Sequence, residues 1–143
     1  MLVELDSALP RAVLGDMSIA LQDAVVLAVD DDQDMRELLA SILGVHVREV
    51  VVAGSVEEAM RFLECVHPAL IVSDICMPEQ DGYDLIRRIR AMRENRNIPA
   101  VALSAYTEDG CRDAALAAGF DMFLRKPIDM ERFVPVLEAL LQD

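Results

Sequence analysis

Four separated stretches of the chain each run apolar and then stop at a polar side chain: VVLAVDDD at 25–32, LIVSDICMP at 70–78, AVALSAY at 100–106 and FLRKP at 123–127. The polar residues they deliver are Asp30, Asp31, Asp74, Ser104 and Lys126, a set that would suit one phosphoryl-transfer pocket. Carboxylates gathered within about 4 Å of one another repel by roughly 4 kcal/mol at an effective dielectric near 20, so a cation must hold them. Oxygen ligands with no His or Cys in position suit Mg²⁺, a hard ion that keeps waters and accepts phosphate oxygens. Lys126 adds a second positive charge and Ser104 a hydroxyl donor, and together they can clamp a phosphoryl group transferred to a carboxylate. Taken alone, Asp30 to Asp32 could be no more than a helix cap and a solvated turn. Asp74 argues otherwise, because it ends an even more apolar strand, and Met77–Pro78 followed by Asp81–Gly82 makes the next segment a shaped loop.

Residues this far apart in sequence converge only if the elements before them end on one rim. A short apolar run that is not alternating is the pattern of a strand buried on both faces. In an open α/β sheet the carboxyl ends of such strands share the edge where ligands bind. The pattern predicts strands at Ala24 to Val29, Glu49 to Ala53, Ala69 to Ser73, Pro99 to Leu103 and Met122 to Leu124. Between them, helices are predicted from a cap at Asp32 or Asp34 to about Leu43, from a Ser55/Glu58 capping box to about Cys65, over Tyr83 to Arg93 and over Glu108 to Ala118. Gly119 stops the fourth helix, and Asp129 caps a last one that runs to about Leu141. Pro135 lies inside that last helix, where a kink or a late start is expected. Strictly alternating strands and helices imply a doubly wound parallel sheet of class α/β.

Residues 1–23 have a different texture, small and apolar with scattered Asp, broken by Pro10 and Gly15. They are read as an N-terminal extension preceding a domain at 24–143, either of low order with a short helical piece near 11–22 or packed on the domain edge through Leu14, Ile19 and Leu21.

Composition narrows the partners. The 143 residues suit a single core without staples. With 13 basic against 26 acidic residues the net charge is −13, which repels nucleic acid and anionic lipid and argues against direct DNA binding. Cys65, Cys76 and Cys111 are odd in number and lack metal-ligand spacing, and His46 and His67 have no acidic or Ser partner nearby in sequence. Reduced thiols, no stretch long enough for a membrane span and no positive leader point to the cytoplasm.

From about residue 24 to 142 the chain resembles the receiver domain of two-component response regulators. The resemblance rests on VLAVDDD, IVSDICMPEQDGYDLI, ALSAY and GFDMFLRKP, in the right order and at family-like spacing. It implies a flavodoxin-like five-stranded sheet in the order 2-1-3-4-5 with five helices. It implies that Asp74 accepts phosphate from the phosphohistidine of a histidine kinase or a histidine phosphotransfer protein. Asp30 and Asp31 look like the pair that binds Mg²⁺, with Asp31 the direct ligand and Asp30 acting through water, while Asp32 falls outside. Cys76 sits where a backbone carbonyl, not a side chain, reaches the ion. Ser104 matches the hydroxyl that moves to the phosphoryl group, and Lys126 the lysine that pairs with it. A cis peptide at Lys126–Pro127, against ordinary expectation for an X-Pro bond, is also implied and could aim Lys126 back at Asp74.

Phe123 falls at the family's switch aromatic, expected to turn inward when Ser104 moves; its other reading is an ordinary core Phe. Tyr106 either shapes access to the acyl phosphate or is a half-exposed ring. The implied output is a downstream protein bound through the face formed by the fourth helix, fifth strand and fifth helix, with a homodimer as one form. Val47-Arg48 replaces the Gly-aromatic turn the family often has before its second strand, so that loop is expected to differ. The wording SDICMPEQDGYDLIRRIRA and IPAVALSAY is similar to receivers attached to hybrid sensor kinases, which fits a fragment or a stand-alone relay protein. Two other functions compete. A binding-only pseudo-receiver would have lost an Asp or the Lys, and a dedicated Mg²⁺-dependent phosphatase would want a general acid near Asp74 and a covering domain.

Overall fold

A computed structural model of the chain describes residues 19–75, 81–105 and 111–142. Strands β1 (Val25–Val29), β2 (Glu49–Ala53), β3 (Leu70–Asp74), β4 (Ala100–Ser104) and β5 (Met122–Arg125) form one parallel sheet in the order β2-β1-β3-β4-β5. This is the doubly wound, flavodoxin-like sheet expected from the sequence. β3 and β4 are buried along their whole length, as strands covered on both faces must be. Both run one residue beyond the apolar pattern, because the ladder continues through Asp74 opposite Leu103 and Ser104 opposite Arg125. Two candidate site residues are therefore strand residues, with backbones held by their neighbours.

Helices α1 (Gln33–Gly44), α2 (Val56–Cys65), α3 (Gly82–Ala91), α4 (Cys111–Ala118) and α5 (Met130–Leu141) connect and follow the strands. Asp32, not Asp34, caps α1, its carboxylate accepting from the Asp34 N–H at 3.0 Å. Ser55 accepts from the Glu58 N–H at 3.1 Å, but the Glu58 carboxylate reaches back one residue further than a capping box would and accepts from the Gly54 N–H at 2.6 Å. A complete box instead opens α3, between Asp81 and Asp84. α3 ends two residues before the expected Arg93, since Met92 is already extended. Gly119 takes φ 132 past the end of α4, and the Phe120 N–H returns to the Ala115 carbonyl at 3.1 Å, closing the helix in the left-handed turn that glycine permits. α5 starts at its Asp129 cap with Pro135 inside it, so the start is not delayed.

Each face of the sheet carries its own core. Leu27, Val29, Ile71, Ala102 and Phe123 pack with α2, α3 and α4 through Leu63, Leu85, Ile86, Ile89 and Ala115. Val26, Ala28, Val72 and Leu103 pack on the other side with α1 and α5 through Leu39, Leu43, Phe133 and Leu137. Val47, in the loop expected to differ, is itself buried in the second core, and the Arg48 N–H donates to the Ala24 carbonyl at 2.9 Å. The chain before β1 joins that core too: Leu21, in a 3-10 turn over Leu21–Asp23, is 7% exposed, and the Ile19 N–H donates to the Leu141 carbonyl of α5 at 3.3 Å. Among the described residues, no helix is long and apolar enough to cross a membrane.

Candidate functional site

Asp30 is the first residue beyond β1, and almost every polar atom it has is engaged. Its N–H donates to the Ala53 carbonyl of β2 at 3.0 Å, and its own carbonyl accepts from the Arg36 guanidinium at 2.8 Å. Its carboxylate accepts from the Asp32 N–H at 3.0 Å through Oδ1 and from Lys126 Nζ at 3.1 Å through Oδ2. A carboxylate only 1% exposed needs such partners, since burial without them costs several kcal/mol. Asp31, by contrast, points to solvent. Asp74 closes the group from the end of β3, nearly buried, with Oδ1 3.5 Å from Lys126 Nζ. One ligand oxygen each from Asp30, Asp31 and Asp74 lies within 4.8 Å of the others.

Lys126 comes from the far side of the sheet. Its N–H donates to the Ser104 carbonyl at 2.9 Å, which ties the residue after β5 to the end of β4, and the Lys126–Pro127 bond is cis. Burial by itself would lower the pKa of its ammonium. The hydrogen bond to Asp30 and the charges of Asp74 and Asp30 outweigh that, so Lys126 titrates above the ordinary lysine range and stays a cation at neutral pH. It is also the only lysine in the sequence. Among the described residues, Lys126 is the ammonium that pairs with Asp30 and Asp74, one positive charge beside three clustered carboxylates. Three hard oxygen donors with that excess of negative charge fit a divalent ion such as Mg²⁺.

Ser104 is 2% exposed. Alternation puts it on the same sheet face as Ala102, which is paired with Phe123, so Ser104 and Phe123 share a face one strand apart. Phe123 is 8% exposed and belongs to the first core. The Asp32 carboxylate caps α1 and is not one of the three clustered carboxylates, and Asp32 meets that group only through its N–H to Asp30. Cys76, Met77, Pro78 and Tyr106 lie outside the described residues. Cys65 and Cys111 are free thiols.

Two supports of the site escape sequence reasoning. Arg36 holds the Asp30 backbone from the first turns of α1, with nothing but its place six residues on to signal it. Gly82 is more than a turn residue: a Cβ there would stand 2.6 Å from the Asp74 carbonyl oxygen and 2.8 Å from Ile75 Cα, backbone atoms that cannot yield. The Gly82 N–H donates to the Ile75 carbonyl at 2.8 Å, so the start of α3 packs directly on the strand that carries Asp74. The Asp-Gly pair at 81–82 was the available signal.

Residues 26–138 match the response regulator receiver domain family. A 14.6 kDa uncharacterized protein encoded beside sodA1 in Leptolyngbya boryana is 45% identical over 104 residues, covering 73% of this chain and 79% of that protein. Response regulator Rre1 of Synechocystis is 33% identical over 117 residues, covering 81% of this chain and 51% of its own length. The chain spans about half the length of most curated relatives it matches. Among solved structures, the signal receiver domain of a signal transduction histidine kinase from Syntrophus aciditrophicus superposes with a TM-score of 0.76 at 31% identity, covering 82% of this chain and 89% of that one. The chain belongs to the response regulator receiver domain family, the signalling module of two-component systems.

Proposed function

We propose that Asp74 accepts a phosphoryl group from the phosphohistidine of a histidine kinase or histidine phosphotransfer protein, in a reaction that requires Mg²⁺ at Asp30, Asp31 and Asp74. The observation that carries this reading is the acidic cluster itself: three carboxylate oxygens within 4.8 Å of one another, with Lys126 paired to Asp30 and Asp74. Both Asp30 oxygens are already engaged, which favours contact with the ion through water; exposed Asp31 is the better direct ligand. By the family resemblance, the Cys76 backbone carbonyl would supply a further oxygen ligand. When bound, Mg²⁺ neutralises the carboxylates and the phosphoryl oxygens that approach them.

In the transfer an Asp74 carboxylate oxygen forms the new P–O bond. The donor's P–N bond breaks, and its electron pair returns to the imidazole nitrogen. Lys126, already 3.5 Å from Asp74 Oδ1, is placed to pair with the incoming phosphoryl oxygens, and Ser104 to donate its hydroxyl. The product adds about −1.5 to −2 charge. Ser104 drawn toward it would vacate space on the sheet face it shares with Phe123, which turns inward and changes the α4-β5-α5 surface, where a downstream protein or a second copy binds. The domain's only chemistry is its own phosphorylation and dephosphorylation, and the net charge of −13 supports a cytoplasmic signalling role without direct nucleic-acid or membrane binding.

The test is intact mass after incubation with acetyl phosphate. One phosphate should add to the parent with Mg²⁺, and none with EDTA or in Asp74→Asn. Equal uptake by Asp74→Asn would sink the assignment.

A further inference from the structure

The peptide that joins Asp30 to Asp31 is held by one side chain. Its oxygen, the Asp30 carbonyl, accepts from Arg36 Nη1 at 2.8 Å, while the Asp30 N–H is fixed to the Ala53 carbonyl at 3.0 Å. A peptide is planar, so holding that oxygen sets the direction in which the chain, and the Asp31 carboxylate with it, leaves Asp30. Asp31 depends on this, because it is exposed and makes no side-chain hydrogen bond or ion pair with another described residue. Arg36 forms no ion pair with another described residue either, so in this acidic chain its guanidinium is committed to a neutral carbonyl.

The guanidinium reaches that carbonyl by crossing Gly54, in the bend after β2. A Cβ on Gly54 would stand 2.8 Å from Arg36 Nη1 and 3.2 Å from its Cζ, closer than packed atoms approach. The Gly54 backbone is not in the left-handed region, so open space, not conformation, is what this glycine supplies. The bend is tied down, since the Gly54 N–H donates to Glu58 Oε1 at 2.6 Å. The guanidinium is the part that can yield: it ends a flexible side chain, and a groove of about 260 Å³ lined by Gln33, Glu37, Ala40 and Val52 opens beside it.

We propose that Arg36 is a positioning residue for Mg²⁺, aiming Asp31 through the Asp30 carbonyl, and that Gly54 governs its reach. The inference rests on the metal reading of the acidic cluster and adds the residues behind the ligands that set its affinity. Groups that orient metal ligands change affinity by about 10- to 100-fold when removed. The charge of Arg36 acts the other way. A cation close to an acidic cluster competes with a metal ion, so a purely electrostatic role means that removing it tightens Mg²⁺. Positioning means that removing it weakens Mg²⁺, and the sign separates the two.

Calorimetric titration of Mg²⁺ into the full chain tests this, with circular dichroism to confirm that each variant is folded. Arg36→Ala should weaken Mg²⁺ about tenfold or more. Gly54→Ala changes no charge, and because its methyl meets the tip of a flexible side chain it should fold, yet weaken Mg²⁺ to a similar degree. Adding Gly54→Ala to Arg36→Ala should change nothing further, since the next contact of the new methyl is Glu58 Oε1 at an ordinary 3.6 Å. In EDTA, the ¹⁵N resonance of Asp31, the nitrogen of the held peptide, should move in both single variants. The inference is overturned if Arg36→Ala binds Mg²⁺ as tightly as the parent or more tightly, if Gly54→Ala leaves affinity unchanged, if its effect persists undiminished without Arg36, or if the Asp31 resonance stays in place. A parent that binds no Mg²⁺ would instead overturn the metal reading itself, and the Asp31 resonance would still decide whether Arg36 and Gly54 act on that one peptide.

Discussion

The two rims of the same sheet each carry one central cation, and they treat it in opposite ways. At the carboxyl rim, Lys126 faces three carboxylates and cannot neutralise them. At the amino rim, Arg90 donates to the carbonyls of Gly119 at 2.9 Å, Arg96 at 3.0 Å and Ile98 at 2.6 Å, and to Asp121 Oδ2 at 3.0 Å. Asp121 in turn accepts from the Ala100 N–H at 2.9 Å, so one ion pair joins α3, the start of β4 and the turn before β5. The planar guanidinium has enough donors for all of these at once, which an ammonium does not. An end of the sheet with its charges matched contributes stability; an end with surplus charge is the less stable for it, and on the proposed function it keeps a place for an ion and a phosphoryl group.

The largest expected effect is on the carboxyl rim. Lys126→Gln should slow Mg²⁺-dependent uptake of acetyl phosphate by about a hundredfold, the scale of losing one preorganised charge at a transition state. Circular dichroism should show the fold intact. A rate within a few-fold of the parent would mean that Lys126 serves only to hold Asp30 and Asp74 apart.

Arg90→Ala is the opposite experiment. It leaves carbonyls and a carboxylate without their shared donor, and an unfolding midpoint in urea should report a loss of about 2 kcal/mol, with phosphate uptake unchanged once the protein is folded. Slowed uptake at full stability would show that the two rims are coupled and that the contrast between them is false.

These two rims were also unequally legible in the sequence. Asp30, Asp74, Ser104 and Lys126 stand at the ends of apolar runs, and a strand signal read within five residues places its last residue on a known edge. Ser55, Asp129 and Gly119 were legible for the same reason, since caps and stops act over three or four residues. Arg90 was not. Its partners lie up to 31 residues away, and nothing near it in sequence tells a helix arginine in solvent from one that gathers three carbonyls. Arg36, which holds the Asp30 carbonyl, was hidden in the same way. Leu21 was only half legible: with Leu14 and Ile19 it was able to pack on the domain edge, and it does enter the second core, but a segment without periodicity left low order equally open.

Metal binding should sharpen the contrast further. If surplus charge is what the carboxyl rim keeps open, Mg²⁺ at a hundred times its Kd should stabilise the parent by about 2.7 kcal/mol. Asp31→Asn removes one repelling carboxylate and should raise stability in EDTA by about 1 kcal/mol, while most of the response to Mg²⁺ disappears. Thermal unfolding with and without Mg²⁺ measures both. An Asp31→Asn chain less stable than the parent in EDTA would show that the cluster is not strained by its charge.

The smallest effect separates the rims by pH. The pKa of Lys126 is raised in the fold, because its partners outweigh the cost of burial. A raised basic group contributes stability that is fully present below its unfolded pKa, about 10.4, and that is lost as the pH climbs through the higher folded value. Arg90 is shifted the other way, lowered by burial against the opposing pull of Asp121, but a guanidinium stays protonated throughout this range. The stability difference between the parent and Lys126→Gln, measured without Mg²⁺, should therefore hold up to about pH 10 and shrink above it, while that between the parent and Arg90→Ala stays constant. Comparing differences cancels the titration of tyrosines and of the unfolded chain common to each pair. If both differences shrink together, alkali is loosening the whole fold and the ammonium has no separate share in it. If neither does, Lys126 keeps its proton beyond the range or adds nothing to stability, and the carboxylates of the pocket are held in place by the Arg36 and backbone contacts around Asp30 instead.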